Sequence, residues 1–288
     1  MSNHCQPALP ASQRALVLGA GFVGEEVVRR LGSRGWDVRS MRSANLDLAG
    51  KNAWETLFQM YHPGDTLIFV AAKAPVKTPD MLVENLHMAQ SVLKACQKTP
   101  PGHLVYVSSD AVYADGPCPL SEESPAAPTS LHGVMHLARE RILETLPSVP
   151  LVVVRPTLIF GEKDPHNGYG PNQFMRLAKS GKPIRIFGKG EEQRDHIHVG
   201  DVAEMISEIV DRGLTGVINA ATGKTTSFLD IAEKIREKHP AQIDFVERTG
   251  PPPHNGYRSF TVEKARALFP NLIPLGLDEY VSMQAQTK

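Results

Sequence analysis

Two histidines four residues apart are the side chains of this 288-residue chain that most directly suggest chemistry. His132 and His136 lie in a stretch that is predicted to be helical from about Ser130 to Leu146, and side chains at i and i+4 share one helix face. An unperturbed imidazole has a pKa of about 6.5, so it can exchange a proton near neutral pH. We therefore predict that His132 acts as a general acid–base, with His136 one turn further along the same face.

The same pair allows other interpretations. Proton transfer could be lost or could move to another polar side chain, namely Ser109, Asp110, Tyr113 or Lys73. A His-x-x-x-His pair can also ligate zinc, but Gly133 stands where a zinc protease has its glutamate and no third ligand is evident, so no metal is predicted. Finally, the two histidines could lie on an exposed face without a chemical role.

A glycine-rich turn near the start of the chain predicts a dinucleotide site. An apolar run, Arg14–Leu18, indicates a buried strand that ends where G-x-G-x-x-G begins, and a helical stretch follows. Gly19 permits the tight turn, Gly21 lets pyrophosphate approach the backbone, and Gly24 lets the helix pack close to the strand. The predicted cofactor-binding residues of this turn are Gly19, Gly21, Phe22, Val23 and Gly24.

The end of the second predicted strand, Asp37–Met41, indicates which dinucleotide binds. An NAD site would place Asp or Glu there to hold the ribose 2′-hydroxyl. Here Arg39, Arg42 and Ser43 stand at that end, and a guanidinium would bind a 2′-phosphate that a carboxylate would repel. NADP is therefore predicted in preference to NAD, and a solvated arginine edge is the alternative.

Short β-branched runs alternate with helical stretches of 10 to 18 residues through the first half of the chain. This alternation predicts an α/β fold, a doubly wound parallel sheet of Rossmann type, with a smaller C-terminal substrate lobe. We divide the chain into a flexible tail at 1–12, a dinucleotide-binding domain at 13–160 and a mainly substrate-binding lobe at 161–288. Segments near 196–220 are expected to return to the Rossmann core.

Composition narrows the possible partners. Lys and Arg number 31 and balance 31 Asp and Glu, so no basic field favours nucleic acid or an anionic membrane. No apolar run approaches the roughly 20 residues that span a bilayer, and the first dozen residues lack the features of a signal peptide. Three scattered cysteines, Cys5, Cys96 and Cys118, form no disulfide framework and indicate a reduced, cytoplasmic setting.

Together with the glycine turn, several segments between about Arg14 and Arg266 resemble the extended short-chain dehydrogenase/reductase superfamily, that is, the NAD-dependent epimerase/dehydratase family. Asn45–Leu48 is similar to its Asp-Leu near the adenine, Val70–Ala72 to its segment beside the ribose, and Asn85 to the central asparagine of its next helix. The resemblance implies further cofactor-binding residues: Asp47, Leu48, Ala71, Ala72 and Lys73.

The resemblance also implies a substrate site. Ser108–Tyr113 resembles the family's S-S-x-x-V-Y segment, in which the residue matching Ser109 hydrogen-bonds the reacting sugar oxygen, and its Ser-Ser-Asp form looks most like the dTDP-4-dehydrorhamnose reductases. Phe187–Asp201 resembles the signature G-x-G-x-x-x-R-D-x-x-x-V-x-D, whose arginine, matching Arg194, binds substrate phosphate. Asn172 is assigned to the substrate as well.

The chain departs from the family at the two catalytic positions. Where the family has Tyr-x-x-x-Lys, this chain has His132 and His136, and His136 is a poor substitute for lysine because it is shorter and mostly uncharged at neutral pH. We predict an NADP-dependent oxidoreductase acting on a nucleotide-activated sugar or a similar small molecule, as a reductase or an epimerase/dehydratase. The alternatives are a redox-silent NADP-binding sensor or partner, and a non-redox isomerase or lyase. Homodimers are common in the family, and one is possible here.

Overall fold

The computed structural model describes residues 13–286, so the predicted tail at 1–12 lies outside the described residues. The strands are β1 (Arg14–Leu18), β2 (Asp37–Met41), β3 (Thr66–Phe69), β4 (His103–Val107), β5 (Leu151–Pro156), β6 (Leu158–Phe160), β7 (Ile184–Phe187), β8 (Gln193–His198), β9 (Gly216–Ala220), β10 (Thr225–Ser227), β11 (Ile243–Val246) and β12 (Tyr257–Arg258). The α-helices are α1 (Phe22–Ser33), α2 (Ala53–Leu57), α3 (Pro79–Lys98), α4 (Leu131–Glu144), α5 (Pro171–Lys179), α6 (Val199–Arg212), α7 (Phe228–Lys238), α8 (Glu263–Leu268) and α9 (Leu277–Gln286).

The chain forms two compact units. The first contains the described residues up to Ala114 together with Glu122–Pro156 and Val202–Ala220, and the second contains Asp115–Ser121, Thr157–Asp201 and the described residues from Ala221 onward. The first unit therefore ends at Pro156 rather than at residue 160, where the sequence analysis drew the boundary. The chain returns to the first unit at Val202 rather than near residue 196. In addition, the seven residues after Ala114 belong to the second unit.

The first unit is built on a six-stranded sheet in the order β2-β1-β3-β4-β5-β9, in which every neighbouring pair is parallel. Strands β3 and β4 are buried along their whole length, as expected for a parallel sheet that is covered on both faces. The chain winds to one side of β1 to reach β2 and to the other side to reach β3, which creates a topological switch point. The predicted doubly wound parallel sheet is confirmed.

Two helices of the first unit begin with side-chain caps that fix their position. Thr78 caps α3 by accepting the N–H of Met81, and Ser130 caps α4 by accepting the N–H of Gly133. The buried stripe of α4 is unusual because it includes three ionisable side chains beside apolar ones; its buried residues are Gly133, Met135, His136, Arg139, Glu140 and Leu143.

In the second unit, β6, β10 and β12 all pair with β8, while β7 and β11 form a separate two-stranded parallel ladder. Its core is aromatic and aliphatic and includes Phe160, Phe174 and Phe228. The buried carboxylate of Asp195 accepts hydrogen bonds from Thr157 and Thr222, so it ties the strand β8 to the chain on both sides. The strands β6, β10 and β12 have only two or three residues each, so no periodic pattern in the sequence could predict them.

The packing of α1 on the turn after β1 generates a stability prediction. A Cβ atom at Gly24 would lie 2.0 Å from the carbonyl oxygen of Gly19, whereas a Cβ atom at Gly32, in the same helix, would meet nothing within 4 Å. We expect G24A to lower the free energy of unfolding by about 2–3 kcal/mol, since the helix must move away from the strand. The matched variant G32A should raise it by about 0.5–1 kcal/mol. Denaturant unfolding measures both, and an unchanged G24A would contradict this packing.

Candidate active site

An open pocket lies at the carboxyl ends of β1, β2 and β3, at the switch point of the sheet. The space in it, together with the solvent at its open mouth, is about 330 Å³, and most of its wall is apolar. Six residues that the sequence assigned to the cofactor meet there: Gly19, Arg42, Ser43, Asp47, Leu48 and Ala71. Four further wall residues were not assigned to the cofactor from the sequence: Leu18, Met41, Leu46 and Met88.

The glycine turn beside this pocket has the backbone that a phosphate group requires. Gly19 has φ +106°, and a Cβ atom there would lie 2.5 Å from the backbone nitrogen of Ala71. A Cβ atom at Gly21 would meet nothing within 4 Å, so the space in front of the turn is open. No side chain caps the N-terminus of α1, which leaves its first N–H groups for a ligand. The turn therefore fits the pyrophosphate of a dinucleotide.

The predicted arginine edge is present, but its two guanidinium groups differ. Arg42 lines the pocket and forms an exposed ion pair with Glu25, in the first turn of α1. Arg39 does not line the pocket, and its guanidinium donates to the carbonyl oxygen of Met60 at 3.3 Å. Of these two arginines, Arg42 therefore lies at the pocket and Arg39 does not.

The segment after β3 is held by a buried asparagine. Asn85, on α3, is fully buried; its Oδ1 accepts the N–H of Lys73 at 3.1 Å and its Nδ2 donates to the Lys73 carbonyl oxygen at 3.0 Å. This pair of bonds fixes the backbone from Ala71 to Lys73 beside the pocket. The Lys73 side chain itself is exposed and pairs with Glu84, so it points to the surface of α3.

The two histidines differ in their surroundings. His136 is 5% exposed, and its Nδ1 lies 2.8 Å from the hydroxyl oxygen of Tyr106. Burial, assisted by the nearby His132 and Arg139, holds its pKa well below the usual range of histidine, so His136 is neutral. It is thus buried against the sheet, where it cannot serve as an exposed substitute for the family's lysine.

His132, in contrast, is only half-buried. Its ring lies 4.8 Å from that of His136, centre to centre, with the two planes at 85°. Its Nδ1 accepts the N–H of Val76 at 3.5 Å. Both imidazoles therefore contact protein groups, and neither is fully exposed to solvent.

The turn that carries Ser109 packs directly against the start of α4. A Cβ atom at Gly133 would lie 2.1 Å from the carbonyl oxygen of Ala111, so only glycine permits this approach. Ser109 accepts the N–H of Ala111 and donates to Asp110 at 3.3 Å, and it is only half-buried. Ser109 and His132 thus lie on neighbouring segments, and the close packing of these segments requires a glycine at position 133.

Tyr113 does not behave as an acid–base residue in this structure. It is 2% exposed, its hydroxyl donates to Oδ1 of Asn219 at 2.6 Å, and burial raises its pKa. The sequence prediction that Tyr113 could take part in catalysis is therefore not supported by its position, because the hydroxyl is already used to join the Ser109 turn to β9.

Two residues predicted to bind substrate already have partners within the second unit. Arg194 is 5% exposed, forms an ion pair with Glu192 at 2.5 Å and donates to the carbonyl oxygen of Pro253 at 2.5 Å. Asn172 is buried, accepts the N–H of Gly161 and donates to Asp164. Arg194 could reach a phosphate only by exchanging these contacts, and Asn172 shapes the loop before α5.

Arg139 is a candidate functional residue that sequence reasoning missed. Its guanidinium is fully buried, donates to the Ala71 carbonyl oxygen at 2.8 Å and stacks 4.2 Å above the ring centre of Phe69. The available signal was its place in the buried stripe of α4, where a charged residue stands at a core position. Next to it, Glu140 is committed to a bidentate ion pair with Arg155.

Within residues 13–286, no group of three or more His, Cys, Asp or Glu side chains is arranged to hold a metal ion. None of the helices in the described part of the chain is long and apolar enough to cross a membrane.

Comparison with known proteins shows the family. The model of the NAD dependent epimerase/dehydratase family matches residues 15–221, and the chain belongs to that family, which confirms the resemblance in the sequence. A trifunctional UDP-glucose 4,6-dehydratase/UDP-4-keto-6-deoxy-D-glucose 3,5-epimerase/UDP-4-keto-L-rhamnose-reductase from Arabidopsis thaliana is 28% identical over 222 residues, which cover 68% of this chain and 32% of that protein. The chain therefore matches about a third of this relative.

Solved structures share the fold. A UDP-glucose 4-epimerase from Thermotoga maritima, solved with UDP-glucose, has a TM-score of 0.84 and 21% identity, covering 95% of this chain and 97% of the other. A UDP-glucose 4-epimerase from Thermus thermophilus, solved with NAD, has a TM-score of 0.79 and 24% identity, covering 96% of this chain and all of the other. Both similarities extend over the two units described here.

A buried histidine of the second unit predicts acid sensitivity. His196 lies on β8 beside the ring of Phe228, and burial, with the charge of Arg194, lowers its pKa to about 4. As the pH falls, the imidazole of His196 is therefore protonated in the unfolded chain before it is protonated in the folded chain. The free energy of unfolding consequently decreases between about pH 6.5 and pH 4. We expect H196F to reduce the loss of unfolding free energy between pH 7 and pH 4 by about 2–3 kcal/mol.

The matched control for this prediction is H87Q, because His87 is exposed on α3. Denaturant unfolding at the two pH values gives the comparison. An acid loss as large in H196F as in the unsubstituted protein would show that His196 does not carry it.

Proposed function

We propose that this protein is an NADP-dependent oxidoreductase of the extended short-chain type that acts on a nucleotide-activated sugar. The observation that carries the proposal is the pocket at the switch point of the sheet, where six residues assigned to the cofactor from the sequence come together. The uncapped N-terminus of α1 and the open space at Gly21 support pyrophosphate binding there. The exposed guanidinium of Arg42 supports NADP over NAD.

The proposed role of each residue follows from its position in the pocket or beside it. The apolar wall of Leu46, Leu48 and Met88 suits an adenine, and Arg42 suits a 2′-phosphate. When bound, the nicotinamide would supply or accept the hydride. Ser109 would donate a hydrogen bond to the substrate oxygen, and the imidazole of His132 would exchange the proton of that oxygen.

A nucleotide sugar is proposed as substrate because proteins similar to this chain were solved with such a ligand or are named for such substrates. The Thermotoga epimerase was solved with UDP-glucose, and the Arabidopsis relative is named for UDP-sugar substrates. Arg194, to which the family resemblance assigns a substrate phosphate, shares the carboxylate of Glu192 with Arg248. A second copy of the chain is the proposed partner, for which exposed apolar side chains on α3 and α4, such as Val83, Leu131 and Val134, provide a surface.

The second candidate function is a redox-silent dinucleotide-binding protein. The observation that favours it is the burial of His136 against Tyr106, because it leaves a single imidazole where the family has a tyrosine and a cation. This function requires the pocket and the glycine turn but no proton transfer.

Cofactor preference can be tested at the Arg42–Glu25 pair. We expect R42Q to weaken NADPH binding about tenfold and NADH binding less than twofold, because only NADPH presents a 2′-phosphate. E25Q should tighten NADPH binding about three- to tenfold, since a carboxylate no longer competes for Arg42. Fluorescence titration of the two dinucleotides provides the dissociation constants.

Glu26 provides the matched control for that experiment. It stands next in the chain but pairs with Arg29 and Arg30 on the other side of α1, so E26Q should leave both affinities unchanged. Equal affinity for NADPH and NADH in the unsubstituted protein would contradict the assignment of NADP.

Substitution of His132 separates the two candidate functions. With NADPH and a panel of 4-keto nucleotide sugars, we expect H132A to lower kcat at least about a hundredfold while the dissociation constant of NADPH changes less than twofold. Turnover that is followed by NADPH absorbance and by product formation measures this effect. An H132A variant as active as the unsubstituted protein would place proton transfer elsewhere, and no turnover in either would favour the redox-silent function.

A further inference from the structure

A fully buried arginine lies directly behind the dinucleotide pocket. Arg139 is 0% exposed, and its guanidinium lies 4.2 Å from the ring centre of Phe69 and 5.6 Å from that of Tyr106, two rings that also contact each other. Its Nη2 donates to the carbonyl oxygen of Ala71 at 2.8 Å, and its Nε has no hydrogen-bond partner. Among the described residues, no carboxylate forms an ion pair with it.

This positive charge is not compensated by its neighbours. Glu140, the next residue, gives both carboxylate oxygens to Arg155, at 3.0 and 2.6 Å. His136 is neutral. Arginine stays protonated in proteins even when burial lowers its pKa. The layer between α4 and the sheet therefore holds one net positive charge, which is an expensive arrangement unless something else balances it.

The charge lies close to the space where an anionic ligand would bind. Two groups that contact the guanidinium are wall residues of the pocket: Ala71, through its carbonyl oxygen, and Met88, through its sulfur at 3.9 Å. The path from Arg139 to the pocket therefore runs through protein rather than water. An interaction along such a path is screened far less than one across the surface.

We propose that Arg139 is a specificity-determining residue of the dinucleotide pocket, whose buried charge selects anionic ligands and is balanced only when one is bound. This inference rests on the proposed dinucleotide binding. It differs from the role of Arg42, because Arg139 makes no direct contact with the pocket space and cannot recognise one phosphate among several. It acts instead on the total negative charge of the ligand.

The test is a series of ligands of increasing charge. Adenosine is uncharged, NADH adds a pyrophosphate, and NADPH adds a further phosphate. R139M removes the charge and keeps the length of the side chain, and R139K keeps the charge. Isothermal titration at moderate salt gives the dissociation constant of each ligand for each variant.

We expect the loss of affinity in R139M to follow ligand charge: about tenfold or more for NADPH, less for NADH and under about twofold for adenosine. R139K should stay within about threefold of the unsubstituted protein for all three ligands. Without ligand, R139M should have a melting temperature at or above that of the unsubstituted protein, because a buried unpaired charge is removed. The rise in melting temperature that NADPH causes should be smaller in R139M.

Several results would overturn the inference. An equal loss for all three ligands would show that Arg139 only shapes the pocket, and unchanged affinities would show that its charge is not felt there. If R139M fails to fold, R139Q removes the same charge, keeps a donor for the Ala71 carbonyl and must show the same charge series. If the unsubstituted protein bound none of the three ligands, the proposed function and this inference would both be refuted.

Discussion

The close approach of α1 to the end of β1 is the constraint on which the dinucleotide pocket depends. A Cβ atom at Gly24 would lie 2.0 Å from the carbonyl oxygen of Gly19, and one at Gly19 would lie 2.5 Å from the backbone nitrogen of Ala71. The two glycines thus allow three chain segments to approach each other closely. The N-terminus of α1, the end of β2 and the segment after β3 consequently surround one space, which is where ligands bind in doubly wound sheets.

The helix α4 shows a different kind of constraint, because its core-facing stripe carries charge. Glu140 and Arg155 form a paired, bidentate contact, which satisfies the buried carboxylate. The guanidinium of Arg139 contacts a carbonyl group, two aromatic rings and two sulfur atoms, and no carboxylate among the described residues forms an ion pair with it. An apolar side chain would pack there at lower cost, so a function in binding gives a physical reason for the arginine. Local departures from the rules of core packing tend to occur at functional sites.

The fold of the first unit was predictable from the sequence because its signals are local. The Arg14–Leu18 strand, the glycine turn and the helix from Phe22 follow each other directly, and each has the apolar pattern of its element. The roles of Tyr113 and His136 were not predictable in the same way. The Tyr113 hydroxyl is bound by Asn219, which is 106 positions away, and His136 by Tyr106 on β4. Only the fold brings these partners together.

Arg42 and Arg139 carry the same charge, but they differ in burial, and burial determines how far the effect of each charge extends. Arg42 is exposed beside Glu25, so salt and water screen it, and its effect is confined to a group that it touches. Arg139 is shielded by Phe69 and Tyr106, so its field extends into the pocket but without discrimination between individual phosphates. A site built in this way would set overall affinity for a dinucleotide from within the core, and the choice between NADP and NAD at the rim.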